Sequence, residues 1–296
     1  MYHRVAPKAP PFFESVIRPD IFERQIRFLK KHYNIASLEE IESAAFNDGG
    51  KDMVVITFDD GYRDNYIHAF PVLKRYDVPA SVFLTTDYID TNRLLWFDEL
   101  AWILYRSWLV TDRNMLINDS ATYEVALEFG LISGGRENTG RYTLCSLASL
   151  LKPLPQVQRD MFIKELAARY RVNIWPDDNS RVMLSWDEVR NMAVNGISFG
   201  SHTKTHPVLS AIPIADVREE IAGSKKIIED KLQKAVTTFA YPFGKKDDYT
   251  EQVVTILNRE GIKRACTTNR GTEKYPIESP LTLKRQGVAT SPYLFF

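Results

Sequence analysis

The sequence predicts an α/β fold, and three observations carry that prediction. Short apolar, β-branched runs alternate with longer segments whose apolar residues recur at helical spacing. Cap and turn residues fall between them. The two densest clusters of acids and histidines each follow directly on one of the apolar runs. This is the rhythm of parallel strands joined by crossover helices, in a sheet or a barrel.

The elements follow in order. Asp20, with Glu23 three residues on, reads as a capping box for a helix carrying Phe22, Ile26, Leu29 and Tyr33. Residues 53–58 (MVVITF) read as a buried strand. Residues 63–76 read as a helix kinked at Pro71, and 80–85 as the next strand. Ser185 with Glu188 makes a second capping box, opening a helix that stops near Gly196. Ile197–Ser201 is a strand. Ile214–Leu232 is a long helix with Val217, Ile221, Ile228 and Leu232 on one side. Then come a strand at 237–241, a helix at 250–260 closed by Gly261, and strands at 262–267 and 281–289. The rhythm breaks between about 90 and 181. That stretch holds an aromatic helical segment (Trp96, Trp102, Tyr105, Trp108), a glycine-rich run at 134–140 and a helix near 158–170. We read it as a helical insertion in a single domain spanning 1–296.

Composition narrows the function. The 296 residues carry 38 Lys+Arg against 38 Asp+Glu, which argues against nucleic acid or an acidic membrane as the main partner. No apolar run approaches the roughly 18–20 residues of a membrane span. The opening MYHRVAPKAP has no apolar signal core, so the expected location is cytoplasmic. Residues missing before Met1 would open an extracellular or cell-envelope location instead. Cys145 and Cys266 are too few for a disulfide scaffold and read as plain buried or semi-buried thiols.

Two motifs carry chemistry. In Thr57-Phe58-Asp59-Asp60-Gly61, both carboxylates leave the C-terminal end of a strand, where α/β folds place their sites. Adjacent acids there repel unless a cation or proton is shared; the alternative is a solvated turn. In Ser201-His202-Thr203-Lys204-Thr205-His206, two of the chain's five histidines stand four residues apart, also at a strand end. They can converge on one metal if the backbone turns helically. The alternative is a pair of surface histidines, as we read His32 and His68. Together the motifs give a His-His-Asp set with open positions, a catalytic and not a structural arrangement. A divalent ion there acidifies water and polarises a carbonyl. One acid is then a ligand and the other a base.

TFDDG, then SHxxxH, then YPFG, on alternating β/α elements, resembles the polysaccharide deacetylases, the NodB-homology enzymes of carbohydrate esterase family 4. The resemblance implies a distorted, TIM-like (β/α) barrel of seven strands. It implies Asp59 as general base and Asp60, His202 and His206 as ligands of a divalent metal, with zinc favoured and Co2+, Ni2+ or Fe2+ also suited. It implies a backbone N–H at Phe243 as oxyanion donor. The family's third-motif arginine is replaced by Ala240, and Arg285 in the last strand is the candidate substitute; otherwise Arg285 is an ordinary strand-end cation. No histidine follows His206 to serve as the family's C-terminal acid. His3, in Tyr2-His3-Arg4-Val5, resembles the rearranged poly-N-acetylglucosamine deacetylase branch, where the strand bearing the acid comes first; otherwise it is a terminal histidine.

The expected activity is metal-dependent hydrolysis of the N-acetyl group of a sugar in a polysaccharide or glycoconjugate. The alternatives are another amide hydrolase on the same fold, a deformylase or imidase, and a non-catalytic glycan-binding relative. The aromatic insertion (Trp96, Phe97, Trp102, Trp108) either lines a sugar groove or packs as core.

Overall fold

The computed structural model describes residues 1–8, 16–41, 51–107, 117–118, 120–132, 141–142, 144–173 and 181–288. The chain divides into two compact units: Met1–Lys8 with Ser15–Thr91 and Arg181–Phe296, and Ala9–Glu14 with Asn92–Ser180.

The first unit is α/β. Its strands are β1 (Arg4–Val5), β2 (Val16–Ile17), β3 (Asn34–Ala36), β4 (Met53–Val55), β5 (Thr57–Phe58), β6 (Ala80–Leu84), β9 (Ile197–Ser201), β10 (Thr238–Ala240), β11 (Arg264–Arg270) and β12 (Leu283–Arg285). The second unit holds β7 (Ile117–Asn118) and β8 (Arg141–Tyr142). Six strands form one open, curled parallel sheet in the order β12-β11-β10-β9-β6-β5. Seven strands were expected. Main-chain bonds at the N-terminus supplement the six. Tyr2 N–H donates to the Thr57 carbonyl (2.8 Å), and Asp59 N–H to the Tyr2 carbonyl (3.1 Å). On the other side, the Met1 amine donates to the Gln286 carbonyl (2.9 Å) and Val288 N–H to the Met1 carbonyl (3.2 Å).

Period-two alternation sorts the sheet's side chains. Val82 and Leu84 pack with Phe22, Phe58, Phe199 and the helix Pro19–His32, while Phe239 and Tyr241 pack with Val217, Val253 and Leu257. Phe83, Ala240, Cys266 and Leu283 form a separate cluster on the other face. Both faces are covered, as a parallel sheet requires.

Several local expectations change. The run 53–58 divides at Ile56: β4 pairs with β3, and β5 with β6. Asp20 does not cap its helix. The helix begins at Pro19 behind Arg18 with no side-chain cap, and Glu23 instead accepts from Arg75 and Tyr76. The segment at 63–76 is one turn of π-helix, Asn65–Ala69, running into the α-helix Phe70–Tyr76, whose first turn holds Pro71. The Ser185–Glu188 capping box is present, each member bonding the other's backbone N–H (3.2 and 2.9 Å). Cys266 is buried, but Cys145 is exposed on the helix Leu144–Leu151.

The second unit is mostly helical: Trp96–Arg106, Ser120–Glu128, Leu144–Leu151 and Gln156–Tyr170, with the antiparallel pair β7–β8. Trp96 is buried beneath the Arg159 guanidinium, 4.8 Å from its ring centroid. Trp102 donates its indole N–H to the Asn173 carbonyl. Trp108, the glycine-rich run 134–140 and residue 289 lie outside the described residues. Among the described residues, no helix is long and apolar enough to cross a membrane.

Candidate metal centre

The parallel sheet directs its C-terminal ends to one side, and the chemistry-bearing residues follow those ends: Asp59 and Asp60 after β5, His202 after β9, Phe243 after β10, and Arg285 closing β12. Asp60 and Gly61 have φ of 75° and 88°, so the chain turns sharply as it leaves β5. The positive φ suits glycine, and a Cβ at Gly61 would stand only 3.1 Å from both the Ile89 and Leu84 side chains.

The two histidines do not converge through a helical turn. Thr203 (φ 68°) and His206 (φ 59°) both adopt the left-handed region, bending the loop so that the rings meet edge to face at 4.9 Å. Phe243 (φ 59°) also meets the His206 ring edge to face, with centroids 4.9 Å apart. Asp60, Thr203, His206 and Phe243 are half of the eight non-glycine residues with positive φ among the described residues. Such strain gathers where the surroundings over-determine the backbone, as at functional sites.

Asp60 Oδ1 lies 3.3 Å from Nε2 of both His202 and His206. All three residues are buried, and that oxygen accepts no hydrogen bond of good geometry. The three ligand atoms lie within 4.8 Å of one another, which fits a divalent cation. His202 Nδ1 meets the Ala240 carbonyl at 2.7 Å, which fixes the tautomer and turns Nε2 toward Asp60. Burial opposes ionisation of Asp60, but the two imidazoles outweigh it and hold the carboxyl well below its usual range. Burial and His202 lower His206. For His202, burial is outweighed by the Asp60 and Asp59 carboxylates and the net direction is up.

Asp59 stands outside this ligand set. Arg285 clasps it, Nη1 to Oδ1 and Nη2 to Oδ2, each 2.7 Å. Arg285 Nε also donates to the Thr267 carbonyl (2.7 Å). Burial pushes the Asp59 carboxyl up; Arg285 and then His202 more than offset this, and the net direction is down. Asp59 is therefore an ionised, oriented carboxylate beside the triad. His3 is half-buried near Asp59 and Asp60, and its carbonyl accepts from the Asn65 side-chain amide (3.0 Å). His32 is exposed and His68 half-buried; neither belongs to the cluster.

Two contributors escape a reading of the sequence. The Ala240 carbonyl acts through its backbone, so residue type carries no signal. Glu220, which bonds the histidine loop, is marked only by lying on the helix that follows it.

The family model described as "Polysaccharide deacetylase" matches residues 46–121 and 157–264, more than half of the chain. The matched stretches include Asp59, Asp60, His202, His206 and Phe243 but not His3 or Arg285. A curated relative named for polysaccharide deacetylation, YxkH of Bacillus subtilis (strain 168), is 22% identical over 218 residues, which make up 74% of this chain and 45% of YxkH. This chain thus spans under half the length of that relative. Among solved structures, the Streptococcus pyogenes deacetylase PplD in complex with acetate superposes with a TM-score of 0.62 at 21% identity, over 99% of this chain and 92% of that one. IcaB from Ammonifex degensii gives 0.61 at 18%, over 97% and 89%. These two likenesses show a shared fold. With the extent of the family match, the chain belongs to the polysaccharide deacetylases, the NodB-homology family of carbohydrate esterase family 4.

Proposed function

We propose that this protein removes N-acetyl groups from an N-acetylated sugar of a polysaccharide or glycoconjugate, using a divalent metal. The observation that carries the reading is the division between neighbouring acids: Asp60 joins His202 and His206, while Asp59 is held apart by Arg285. A glycan-binding protein has no use for a spare, oriented carboxylate beside a metal triad.

Asp60, His202 and His206 would hold the ion, most suitably Zn2+, which when bound supplies Lewis acidity toward an amide carbonyl and lowers the pKa of water. Asp59 takes a proton from the attacking water, and Arg285 fixes the carboxylate for that transfer. The Phe243 N–H donates to the oxygen that gains charge as the carbonyl carbon becomes tetrahedral. His3 delivers a proton to the departing amine, so that water and amide become acetate and a free amino sugar. The main-chain bonds of Met1 and Tyr2 to residues 286–288 and to β5 support a further reading: this stretch acts as the seventh stave of a distorted barrel, as in the rearranged poly-N-acetylglucosamine deacetylase branch.

The test is acetate release from N-acetylglucosamine oligomers by protein stripped with chelator and then reloaded with Zn2+, Co2+, Ni2+ or Fe2+. Release that returns only with metal is the expected result. Absence of release with every metal, in protein that binds the metal, would overturn the reading.

A further inference from the structure

The loop between the two histidines has an unusual energetic problem. Thr203 and His206 are both left-handed without being glycine, a conformation that strains the backbone of any residue with a Cβ. Contacts around the loop have to offset that strain. The loop is held from two sides. From the β6 side, Thr86 N–H donates to the Thr203 carbonyl (3.1 Å) and Asp87 N–H to the Lys204 carbonyl (3.0 Å). From the other side, the helix Ile214–Leu232 brings the Glu220 carboxylate.

Glu220 uses both carboxylate oxygens on the loop. Oε2 accepts from the main-chain N–H of Lys204 (2.7 Å) and of Thr205 (2.9 Å), and Oε1 accepts from the Thr205 hydroxyl (2.7 Å). These are charge-assisted bonds to donors that are only half-exposed. The helix is a firm anchor, since Val217, Ile221, Ser224 and Ile228 are buried along it. One turn on from Glu220, Ser224 Oγ meets Ser201 Oγ (2.5 Å), and Ser201 Oγ accepts from Thr203 N–H (3.3 Å). The adjacent Glu219 differs: its carboxylate pairs with the Lys204 ammonium at the surface and bonds none of the loop's main chain.

We propose that Glu220 is a positioning residue for the metal centre: by gathering three donors of the 203–206 loop, it sets His202 and His206 at the separation a divalent ion requires. This rests on Asp60, His202 and His206 being the metal ligands. It is independent of which substrate is turned over.

The experiment is calorimetric titration of Zn2+ into the intact, metal-stripped chain and its variants. Glu220→Ala is expected to weaken Zn2+ binding by about 10–100-fold, the usual cost of losing a partner that orients ligands. Glu219→Ala removes the same charge from the neighbouring position and is expected to stay within about 2-fold, as an exposed ion pair should. Glu220→Gln keeps one acceptor oxygen but turns an amide N–H2 toward donors, so it should fall between. The Co2+-loaded Glu220→Ala protein should show shifted visible bands, a change that plain loss of stability would not produce. Zn2+ binding by Glu220→Ala within about 2-fold of wild type overturns the proposal. So does an equal loss in Glu219→Ala, which would make the effect one of net charge. If Glu220→Ala does not fold, wild-type affinity in folded Glu220→Gln overturns it equally. A wild-type chain that takes up no Zn2+ overturns both this proposal and the metal-dependent reading; acetate release, measured separately, bears on the catalytic reading alone.

Discussion

Arg285 and Asp59 lie 226 positions apart in sequence, yet they meet through two parallel bonds of 2.7 Å, one from each terminal guanidinium nitrogen to each carboxylate oxygen. Both side chains are buried. Arg285→Ala would leave a buried carboxylate without its counter-ion, at a cost of about 3–5 kcal/mol. Acetate release should fall by about 100-fold or more if Asp59 is the base we propose, because its carboxylate is no longer oriented. Zn2+ affinity should change little, since Arg285 bonds none of the three ligands. Arg285→Lys keeps the charge without the fork and should fall between. Thermal unfolding and initial rates check this; a fully active Arg285→Ala would remove Arg285 from the mechanism.

The neighbouring acids should separate cleanly by mutation. Asp59→Asn keeps shape and leaves the triad intact, so metal binding persists while kcat drops by about 100- to 10,000-fold, the range for a general base. Asp60→Asn weakens a ligand, and its first loss is Zn2+ affinity. Titration calorimetry beside turnover on the same preparations would show the crossing. Equal metal loss in both variants would mean that Asp59 is a ligand too.

The parts of this site that rest on local pattern were legible in the sequence; those that rest on long-range pairing were not. Asp59-Asp60-Gly61 and His202–His206 announce themselves because each follows a strand, and parallel strands bring their ends together. The Ser185–Glu188 box was readable because both partners lie within one turn. The same spacing misled at Asp20 and Glu23, where Pro19 starts the helix and Arg75 and Tyr76 draw Glu23 away. Arg285 could be proposed only as one strand-end cation replacing a missing arginine; its grip on Asp59 depends on the curl of the sheet. The histidines' convergence was expected from a helical turn, but a left-handed loop supplies it, because external bonds to Thr203 and Lys204 override local preference.

Gly200 gives a packing prediction at the centre of the same sheet. A Cβ there would lie 2.5 Å from Thr238 Oγ1 and 2.6 Å from Phe83 Cδ1, both on buried side chains of the flanking strands. Neither neighbour can retreat through a close-packed interior. Gly200→Ala should therefore destabilise the protein by about 1–3 kcal/mol despite adding only a methyl group. Chemical denaturation would show the midpoint falling; an unchanged midpoint would mean that the strands can spread at this point.

Glu99 sets a pH dependence away from the metal centre. It lies half-buried on the helix Trp96–Arg106, and its carboxyl is pushed up from 4.5 to about 7. Burial is the main cause and the Asp160 carboxylate adds to it, against weaker opposition from Arg93 and Lys164. The folded chain thus holds this proton more tightly than the unfolded chain. Stability is untouched by Glu99 below about pH 4.5, declines as pH rises toward 7, and above 7 carries the full penalty of about 3 kcal/mol. Glu99→Gln mimics the protonated acid and should lose this decline. Its melting temperature should match wild type near pH 4.5 and exceed it at pH 8. Parallel melting curves for the two proteins across that range would contradict the assignment of the decline to Glu99.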